Sequence, residues 1–528
     1  MDDNGTPGTP LTSGEWKTII DDLVDNPDEN VALWNVATPE EDDREFDAIF
    51  IGGGAAGRFG SAYSKARGGR QLVIDKWSFL GGSCPHEACF PHHVFSECAK
   101  ELDLQRHMAG RLWFPEFDEK AVRILDVIEL FRQGRGIGHG IMNWQSKEQL
   151  DMEFVLNQKA TVIDNHTVEV AGQRFTTKNL VLATGARTAF PDIPGLDQKG
   201  VYDFASVLTD LDFEPNRCVI IGGSKVAMEY GCFFHATGCK TTILSRSPLM
   251  ETASLQHMDE EMRLFVIEMM EERGMEILEG VEPVAVLGDG TASGVRYRDA
   301  AGNEFDIDCD FVFVATGENP LSQPLVEALG LETTERGFIK VDHSMRTSVP
   351  NVYAAGDLIG HPMEMFKARL SGVCAARNIM GEDYEFHFEE YPDFFHTTYE
   401  VQWTGLSEEE AREQYDDVVV IKFPPEGADP EVLPLPLGDG SMLYGFTRPK
   451  WTGFSKLLID GDSRRIVGAH HTGFGAKDAF QYLHYLIHDH PGGWTIDQMG
   501  ELKELFINNE NFIQLCRLRA GQQKLRDL

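Results

Sequence analysis

Residues 47–57 have the sequence DAIFIGGGAAG, which predicts a buried β-strand, a tight glycine turn and the start of a helix. Such glycines let the backbone approach a pyrophosphate at the helix N-terminus and let the helix pack on the strand. Asp75 follows Gly52 by 23 residues, at the end of a second apolar strand, where a carboxylate can bind ribose hydroxyls. The stretch therefore predicts a dinucleotide-binding unit with Gly52, Gly54, Gly57 and Asp75 as ligands.

A second copy of this pattern is the stretch CVIIGGSKVA at residues 218–227. Here the residue 23 positions after the first glycine is Ser245, and Arg246 follows it. A small neutral residue beside a guanidinium suits a 2′-phosphate, so the second unit favours NADPH over NADH, although Arg246 could also be a solvated surface charge. Its expected ligands are Gly222, Gly223, Ala227, Ser245 and Arg246, while Ser224 replaces the second glycine.

Each unit is followed in the chain by an apolar strand that ends in Ala-Thr-Gly, at residues 180–185 and 311–317. The stretch YAAGD at residues 353–357 places an acid directly after a strand and a glycine, where it can hydrogen-bond a ribityl chain. The expected cofactor ligands from these segments are Ala183, Thr184, Gly185, Gly317, Gly356 and Asp357.

The run GGSCPHEACFPHH at residues 81–93 carries two cysteines, Cys84 and Cys89. Cysteines at the start of a helix can close a small disulfide, and a helix N-terminus lowers a thiol pKa. Four histidine or cysteine ligands could instead be drawn from this run for a metal, but a zinc site has no use between two dinucleotide-binding units, so no metal is expected. The other seven cysteines lack ligand-like spacing and predict buried structural thiols.

The order of these motifs resembles that of the flavoprotein disulfide oxidoreductases, over nearly the whole chain. The resemblance implies that NADPH reduces FAD and that FADH₂ reduces a Cys84–Cys89 disulfide, with Gly82 and Ser83 beside the flavin. It also implies that Asp357 binds the flavin and that residues from about 391 form the interface of a homodimer.

The C-terminal stretch FINNENF at residues 506–512 departs from this family. Ordinary members have the pattern His-Pro-Thr-x-x-Glu there, and this chain has Phe506 in place of the acid–base histidine and Asn511 in place of the glutamate. His93 likewise replaces a lysine. These departures resemble a carboxylating branch of the family, in which a β-keto thioether of coenzyme M is cleaved and the acetone enolate captures CO₂.

Resemblance to this branch implies a role for each further site residue. Cys84 attacks the thioether, Cys89 lies next to the flavin, and Phe506 excludes protons from the enolate. The remaining residues are His86 and His139, which stabilise the enolate, Arg58 and Arg369, which bind the sulfonate, and Met142 and Met365, which line the pocket. Two positions depart from the branch as well: Asn511 replaces a histidine, and Glu87 replaces an amide.

The charge balance excludes other classes of partner. The 528 residues carry a formal net charge of −38, which repels nucleic acid and anionic lipid. No apolar run is long enough for a membrane span and the N-terminus begins acidic, so a cytoplasmic enzyme is expected. Two alternatives remain open: a conventional NADPH-dependent disulfide or metal-ion reductase, and a flavin-binding redox sensor.

The predicted fold is α/β, with two Rossmann-like dinucleotide-binding domains and a C-terminal α+β dimerisation domain. Residues 1–47 contain 14 acids and 2 bases, which indicates a solvated extension. The predicted boundaries are 1–45 for the acidic extension, 46–198 and 319–388 for the two parts of an FAD domain, 199–318 for an NADPH domain, and 389–528 for the interface domain.

Overall fold

The computed structural model describes residues 31–111, 113–118, 122–252, 255, 257–388, 390–398, 400–423, 453–473, 476, 482–503 and 511–522. The chain forms two compact units, which are described separately. Unit 1 comprises Met1–Pro91, Ile128–Ala189 and Gly317–Phe388, and unit 2 comprises His92–Val127, Phe190–Thr316 and Glu389–Leu528. The acidic extension falls mostly outside the described residues, and the predicted domain boundaries stay predictions.

The described strands are β1 (Leu33–Asn35), β2 (Ala48–Ile51), β3 (Gln71–Ile74), β4 (Glu153–Leu156), β5 (Thr161–Asp164), β6 (Thr167–Val170), β7 (Gln173–Thr176), β8 (Leu180–Leu182), β9 (Ala186–Thr188), β10 (Val201–Tyr202), β11 (Arg217–Ile221), β12 (Lys240–Ser245), β13 (Glu276–Glu279), β14 (Glu282–Gly288), β15 (Ala292–Arg298), β16 (Glu304–Asp308), β17 (Phe311–Val314), β18 (Glu318–Pro320), β19 (Val352–Ala354), β20 (Asp393–His396), β21 (Glu400–Gly405), β22 (Val418–Phe423), β23 (Phe454–Asp460) and β24 (Ile466–Gly473).

The described α-helices are α1 (Ala55–Ala66), α2 (Ser83–His86), α3 (Cys89–Met108), α4 (Ile124–Trp144), α5 (Val207–Asp210), α6 (Lys225–Ala236), α7 (Glu260–Glu272), α8 (Gln323–Leu329), α9 (Met365–Ile379), α10 (Glu408–Gln414), α11 (Ile496–Gly500) and α12 (Asn511–Ala520). A 3₁₀ turn covers Gly356–Ile359, and π-helical turns cover Gln145–Gln149, directly after α4, and Tyr485–Asp489.

Unit 1 is built on a six-stranded sheet in the order β1-β4-β3-β2-β8-β19, parallel except for β1. Alternate side chains of β2 enter different cores, Ile49 and Ile51 on one face and Ala48 and Phe50 on the other. Burial of both faces explains why β2, β3 and β8 are continuous apolar runs. Unit 1 also contains a separate three-stranded antiparallel sheet, β5-β6-β7.

Helices α1 and α9 of unit 1 pack with their backbones nearly in contact. A Cβ on Gly60 would lie 2.5 Å from the Gly372 carbonyl oxygen, and a Cβ on Gly372 would lie 2.0 Å from the Ala56 carbonyl oxygen. Because no side chain fits at these two positions, the glycines fix how closely the fingerprint helix approaches α9.

Unit 2 contains the second Rossmann-like sheet, a parallel array in the order β10-β17-β11-β12-β13. The chain between β13 and β17 forms a separate antiparallel sheet, β14-β15-β16. A five-stranded antiparallel sheet, β20-β21-β24-β23-β22, forms the C-terminal part. Helix α10 is rich in acidic residues, and β23 and β24 form an antiparallel hairpin. The predicted α/β class with a C-terminal α+β domain is therefore confirmed.

Within the residues that the structure describes, no helix combines the length and the apolar character needed to cross a bilayer.

Candidate functional site

The first glycine turn in unit 1 is a cradle that only glycine can form. Gly52 has a φ of +107°, and a Cβ there would lie 2.2 Å from the carbonyl oxygen of Ala183. A Cβ on Gly57 would lie 1.9 Å from the carbonyl oxygen of Gly52. Gly54, which precedes α1, is less crowded: the nearest atom to a Cβ built on it is the Gly82 Cα, at 3.7 Å. The turn thus leaves an open face at a helix N-terminus, which fits a pyrophosphate.

Asp75 lies at the end of β3, against this turn. Its carboxylate accepts hydrogen bonds from the backbone amides of Gly53, at 2.5 Å, and Trp77, at 2.8 Å. Burial raises the pKa of Asp75, and these two hydrogen bonds partly offset the effect. An ionised carboxylate has further acceptor capacity, so the arrangement fits a ribose as well as bracing the turn.

Asp357, the other predicted acid, lies in the 3₁₀ turn after β19. The preceding Gly356 receives support from α9, because its amide donates to the Ser371 hydroxyl at 3.0 Å. Burial raises the pKa of Asp357. It also lowers the pKa of the neighbouring Lys367 to about 8, although the Asp357 charge opposes that shift. A Cβ on Gly356 would lie 3.3 Å from Ala56, so the turn lies beside the start of α1 and fits the predicted flavin site.

The Ala-Thr-Gly segments meet the glycine turns in the same way in both units. Ala183 contacts Gly52 as described above, and a Cβ on Gly222 of unit 2 would lie 2.1 Å from the carbonyl oxygen of Ala315. In unit 1, Thr184 donates to the Leu321 carbonyl at 3.0 Å, the Gly185 carbonyl accepts from the Leu321 amide at 2.9 Å, and the Gly317 carbonyl accepts from the Ala189 amide at 2.8 Å. These three residues therefore join β9 to β18.

The second glycine turn carries the predicted nucleotide-selecting residues. Ser245 is buried, and its hydroxyl donates to the Ser247 carbonyl at 2.7 Å. A Cβ on Gly223 would lie 2.4 Å from that hydroxyl. Arg246 is exposed. Ser224 donates to the Ala315 carbonyl at 3.1 Å, which ties the turn to β17, and Ala227 is fully buried in α6.

Residues 81–93, which contain both cysteines and are called the redox run below, are attached directly to the first glycine turn. The Gly81 amide donates to the Gly53 carbonyl at 2.8 Å, and a Cβ on Gly82 would lie 2.6 Å from the Gly54 Cα. The Ser83 carbonyl accepts from the amides of residues 87 and 88, closing the short helix α2. A bound flavin on this turn would therefore lie next to the cysteines.

Cys84 lies in α2 and Cys89 is the first residue of α3, and both are free thiols. The prediction that the helix N-terminus lowers the thiol pKa is wrong for Cys89. Its hydrogen bond with Cys84, its burial and the carboxylates of Glu364 and Asp357 raise the pKa instead.

The structure brings His86, in the redox run, together with His139, in α4. Their ring centroids are 5.1 Å apart, and His139 stacks on Phe79 at 3.7 Å with an interplanar angle of 3°. Burial, together with nearby positive charge, lowers the pKa of His86 to about 4 and that of His139 to about 3. Both imidazoles are therefore neutral at pH 7. His86 Nδ1 and His139 Nε2 are buried and have no hydrogen-bond partner among the described residues.

Helix α4 and its π-helical continuation organise this region. Met142 lies against Gly81, since a Cβ on that glycine would lie 2.5 Å from the methionine sulfur. The next residue of the helix, Asn143, accepts from the Leu80 amide at 2.8 Å and donates to the Ser78 carbonyl at 3.0 Å. Sequence reasoning missed Asn143, because one asparagine in a long helix carries no signal of its tertiary partner.

Arg58 and Arg369 both lie near the ring of Phe59. The Phe59 ring centroid is 5.9 Å from the Arg58 guanidinium and 4.8 Å from that of Arg369. Burial and the Arg369 charge lower the pKa of Arg58. Arg58 donates to the neutral side chains of Ser146, at 2.9 Å, and Gln145, at 2.6 Å.

In the described part of the chain neither arginine forms an ion pair with a carboxylate, so this pair of cations suits an anion. Met365, the first residue of α9, lies one helical turn before Arg369.

Several other predictions concern metals and the C-terminal stretch. The described residues contain no group of three histidine, cysteine or acidic side chains suited to a metal ion. In unit 2, His92 contacts Glu229 at 2.5 Å. Phe506 lies outside the described residues, and Asn511 is the first residue of α12. Six of the seven remaining cysteines are buried, as predicted, and Cys98 is half-buried.

Comparison with known proteins gives a consistent result. The pyridine nucleotide-disulphide oxidoreductase model matches residues 46–372, and the dimerisation domain model of the same name matches residues 391–499. A mercuric reductase of Staphylococcus aureus is 26% identical across 87% of this chain and 82% of its own length. A dihydrolipoyl dehydrogenase of Pseudomonas aeruginosa is 30% identical across 71% of this chain and 80% of its own length.

Among solved structures, the Cu(II) complex of the HOCl-induced flavoprotein disulfide reductase RclA from Escherichia coli matches with a TM-score of 0.74. The match has 20% identity and covers 90% of this chain and 99% of that chain. At this identity the likeness concerns the fold alone.

Proposed function

The chain belongs to the pyridine nucleotide-disulphide oxidoreductase family, and on this premise we propose that it cleaves 2-oxopropyl-coenzyme M reductively and carboxylates the acetone enolate. The products are acetoacetate and coenzyme M, so the proposed activity is that of a 2-oxopropyl-coenzyme M reductase (carboxylating). The family uses FAD and NAD(P)H. Ser245 and Arg246 support NADPH as the nucleotide, and the dimerisation domain supports a homodimer.

The glycine turn at 52–57, Asp75 and Asp357 would hold FAD, and the turn at 222–227 would hold NADPH. When bound, these cofactors supply the two electrons that return a Cys84–Cys89 disulfide to the dithiol. In the proposed reaction the Cys84 thiolate attacks the thioether sulfur, an S–S bond forms to coenzyme M, and the C–S electron pair leaves as the acetone enolate. The raised pKa of Cys89 keeps its proton in place during this step.

The enolate then needs charge stabilisation without a proton. His86 and His139 can donate hydrogen bonds to its oxygen while remaining neutral, so that the nucleophilic carbon forms a C–C bond with CO₂. The Cys89 thiol next displaces coenzyme M from Cys84: its sulfur forms the Cys84–Cys89 disulfide, and its proton leaves on the coenzyme M thiolate as the free thiol. At the sequence position of the family's acid–base histidine the chain has Phe506, which supplies no proton from that position.

One observation carries this proposal: the neutral imidazoles of half-buried His86 and buried His139 lie together at the redox run, and each has a buried ring nitrogen without a hydrogen-bond partner among the described residues. A conventional reductase must protonate a leaving thiolate and gains from a histidine that is readily charged. A site that releases an enolate to CO₂ gains from hydrogen-bond donors that are poor acids. The arginines Arg58 and Arg369 support the sulfonate as the other end of the substrate.

The relatives favour a second candidate, a conventional NADPH-dependent disulfide or mercuric-type reductase. They include proteins named mercuric reductase and dihydrolipoyl dehydrogenase, and that chemistry would use the same Cys84–Cys89 pair. This candidate needs no sulfonate site and no carbon dioxide.

The two candidates are separated by the product formed from labelled bicarbonate. The purified flavoprotein is incubated with NADPH, 2-oxopropyl-coenzyme M and ¹³C-bicarbonate, and acetoacetate is analysed by mass spectrometry. We expect labelled acetoacetate in step with NADPH oxidation, and none from Cys84→Ser. If NADPH oxidation instead follows added disulfide or Hg²⁺ and ignores the thioether, the second candidate is correct.

A further inference from the structure

The loop between the two redox cysteines contains a carboxylic acid, Glu87, that is 8% exposed. It follows His86 directly and replaces the amide that the resemblance to the carboxylating branch leads us to expect. A buried carboxyl without a nearby positive charge tends to take up a proton. A protonated Glu87 would place an acid at a site proposed to avoid proton donors.

Arg187, on β9 of the same unit, supplies the positive charge. Its guanidinium lies 3.0 Å from a Glu87 carboxylate oxygen. Two further cations act on the same carboxylate: burial lowers the pKa of Lys76 and of Arg135, and the Glu87 charge partly offsets this for both. Cations therefore face Glu87 from β9, from helix α4 and from the residue that follows Asp75.

The Arg187 guanidinium is also held in place from a second side. It lies 5.2 Å from the ring centroid of Trp77, which stacks on Phe79 at 5.2 Å, and Phe79 stacks in turn on His139. Arg187 thus contacts Glu87 at one end and a column of stacked rings at the other. Such a residue has two separable roles, one electrostatic and one in packing.

We propose that Arg187 is a positioning residue that keeps Glu87 ionised, so that the loop between the two redox cysteines contains no acid able to protonate the enolate. This inference rests on the proposed carboxylation. Without Arg187, the carboxyl would transfer its proton to the enolate carbon: a C–H bond forms, the carboxyl O–H bond breaks, and acetone and a carboxylate result. No electrons are exchanged in that step, and the carboxyl regains its proton from water.

The test compares four variants: Arg187→Gln, Arg187→Lys, Glu87→Gln and the double variant Glu87→Gln/Arg187→Gln. For Arg187→Gln we expect the ratio of acetoacetate to acetone to fall about tenfold or more, because a positioned acid typically contributes about 10²- to 10⁴-fold. Arg187→Lys retains the charge and should keep the wild-type ratio. The double variant should recover that ratio, since an amide has no proton to give at neutral pH.

A role of Arg187 in packing alone gives a different pattern, in which Arg187→Gln and the double variant show the same ratio. That result would overturn the proposal. The flavin content of each variant, read from its absorbance, identifies any that fail to fold, and if Arg187→Gln is among them, the infrared comparison of the wild type with Glu87→Gln still decides whether Glu87 is ionised.

Infrared difference spectroscopy gives a readout that needs no substrate. The carbonyl band of a protonated carboxyl should appear in Arg187→Gln and be absent from the wild type and the double variant. If the wild type forms no acetoacetate, the proposed function fails, but the infrared band still decides whether Arg187 keeps Glu87 ionised. A wild-type spectrum that already contains this band, lost in Glu87→Gln, contradicts the inference.

Discussion

Ser245 lies against Gly223 in the second glycine turn, in the same relation that Asp75 has to Gly53 in the first. The two positions are equivalent in fold, yet one holds a hydroxyl and the other a carboxylate. If the second turn binds the nucleotide, this difference determines whether a 2′-phosphate is tolerated there.

The first prediction is that Ser245→Asp changes nucleotide preference from NADPH toward NADH. A carboxylate repels the 2′-phosphate and can bind the free ribose hydroxyls. We expect KM for NADPH to rise about tenfold or more. A carboxylate a few ångströms from the 2′-phosphate costs about 1.4 kcal/mol or more in repulsion at an effective dielectric constant near 20. Steady-state kinetics with each nucleotide measures the change. The matched control is Arg246→Ala, which should weaken NADPH without improving NADH; equal KM values in Ser245→Asp and the wild type would contradict the assignment.

The second prediction concerns Phe506→His. An imidazole restored at the family's acid–base position should protonate the enolate, so the product should shift from acetoacetate toward acetone by about 10²-fold. Gas chromatography of acetone with enzymatic assay of acetoacetate gives the ratio. Phe506→Leu, which stays apolar, should keep the wild-type ratio, and proton exclusion by Phe506 would be the wrong explanation if both variants behaved alike.

The third prediction is that Ser146→Asp weakens the sulfonate site. Arg58 is now held by two neutral acceptors, so its charge is available to a ligand. An aspartate at 146 would pair with Arg58 and compete with the sulfonate, and we expect KM for 2-oxopropyl-coenzyme M to rise about tenfold, because a hydrogen bond to a charged group contributes about 1.5–3 kcal/mol.

Ser146→Ala is the matched control for that variant. It removes one hydrogen bond from Arg58 and introduces no charge, so KM should change only a few-fold. Inhibition by ethanesulfonate, measured in parallel, reports the anion site without the chemistry. Identical ethanesulfonate inhibition of Ser146→Asp and the wild type would show that Arg58 does not bind this anion.

The fourth prediction concerns the stability of unit 2. Lys456 on β23 is 2% exposed and pairs with Asp259, also buried, at 2.9 Å. Lys456→Met should lower the free energy of unfolding by about 3–5 kcal/mol, because it leaves a buried carboxylate without its countercharge. Urea denaturation measures this loss. Lys422→Met is the control, since the partner of Lys422, Glu261, is 43% exposed, and its cost should stay near about 0–1 kcal/mol.

The cost of Lys456→Met should also depend on pH. Burial raises the pKa of Asp259 and of Glu408, but the charges and hydrogen bonds of their neighbours, Lys456 among them, overcome this and lower both values. A carboxyl with a lowered folded-state pKa adds stability above its unfolded pKa, about 4, and loses it as the pH falls through the lower, folded value. The difference between the variant and the wild type should therefore shrink below about pH 4; a difference that stayed constant into acid would exclude this carboxylate pairing.

The local motifs could be predicted from the sequence because each is completed within a few residues. Three kinds of motif depend on backbone geometry that neighbouring residues determine: the glycine turns, the acids after the strands and the recurrent Ala-Thr-Gly. The structure adds the reason for the recurrence, since Ala183 and Ala315 both place a carbonyl where only the glycine of the turn can fit.

The surroundings of the redox run could not be predicted in the same way. The neutrality of His139 depends first on burial and then on His86 and Arg135, and the Phe79 ring that stacks on it lies sixty positions away in the chain. The pKa of Cys89 is raised first by its hydrogen bond with Cys84 and by burial and further by Glu364 and Asp357, and neither the burial nor these distant acids can be read from the residues around a helix start. Arg187 carries no motif at all, and its partner is visible only after the chain has folded.

The stacked column beside the redox run has a consequence for how this protein could be observed. Trp77 lies between the guanidinium of Arg187 and the rings of Phe79 and His139, so its indole emission is exposed to changes at both ends. The chain has eight tryptophans, and the signal of this one can be isolated by subtracting the spectrum of Trp77→Phe. The column would then serve as an intrinsic fluorescent reporter, in the native protein and without an attached dye, of events next to the cysteines.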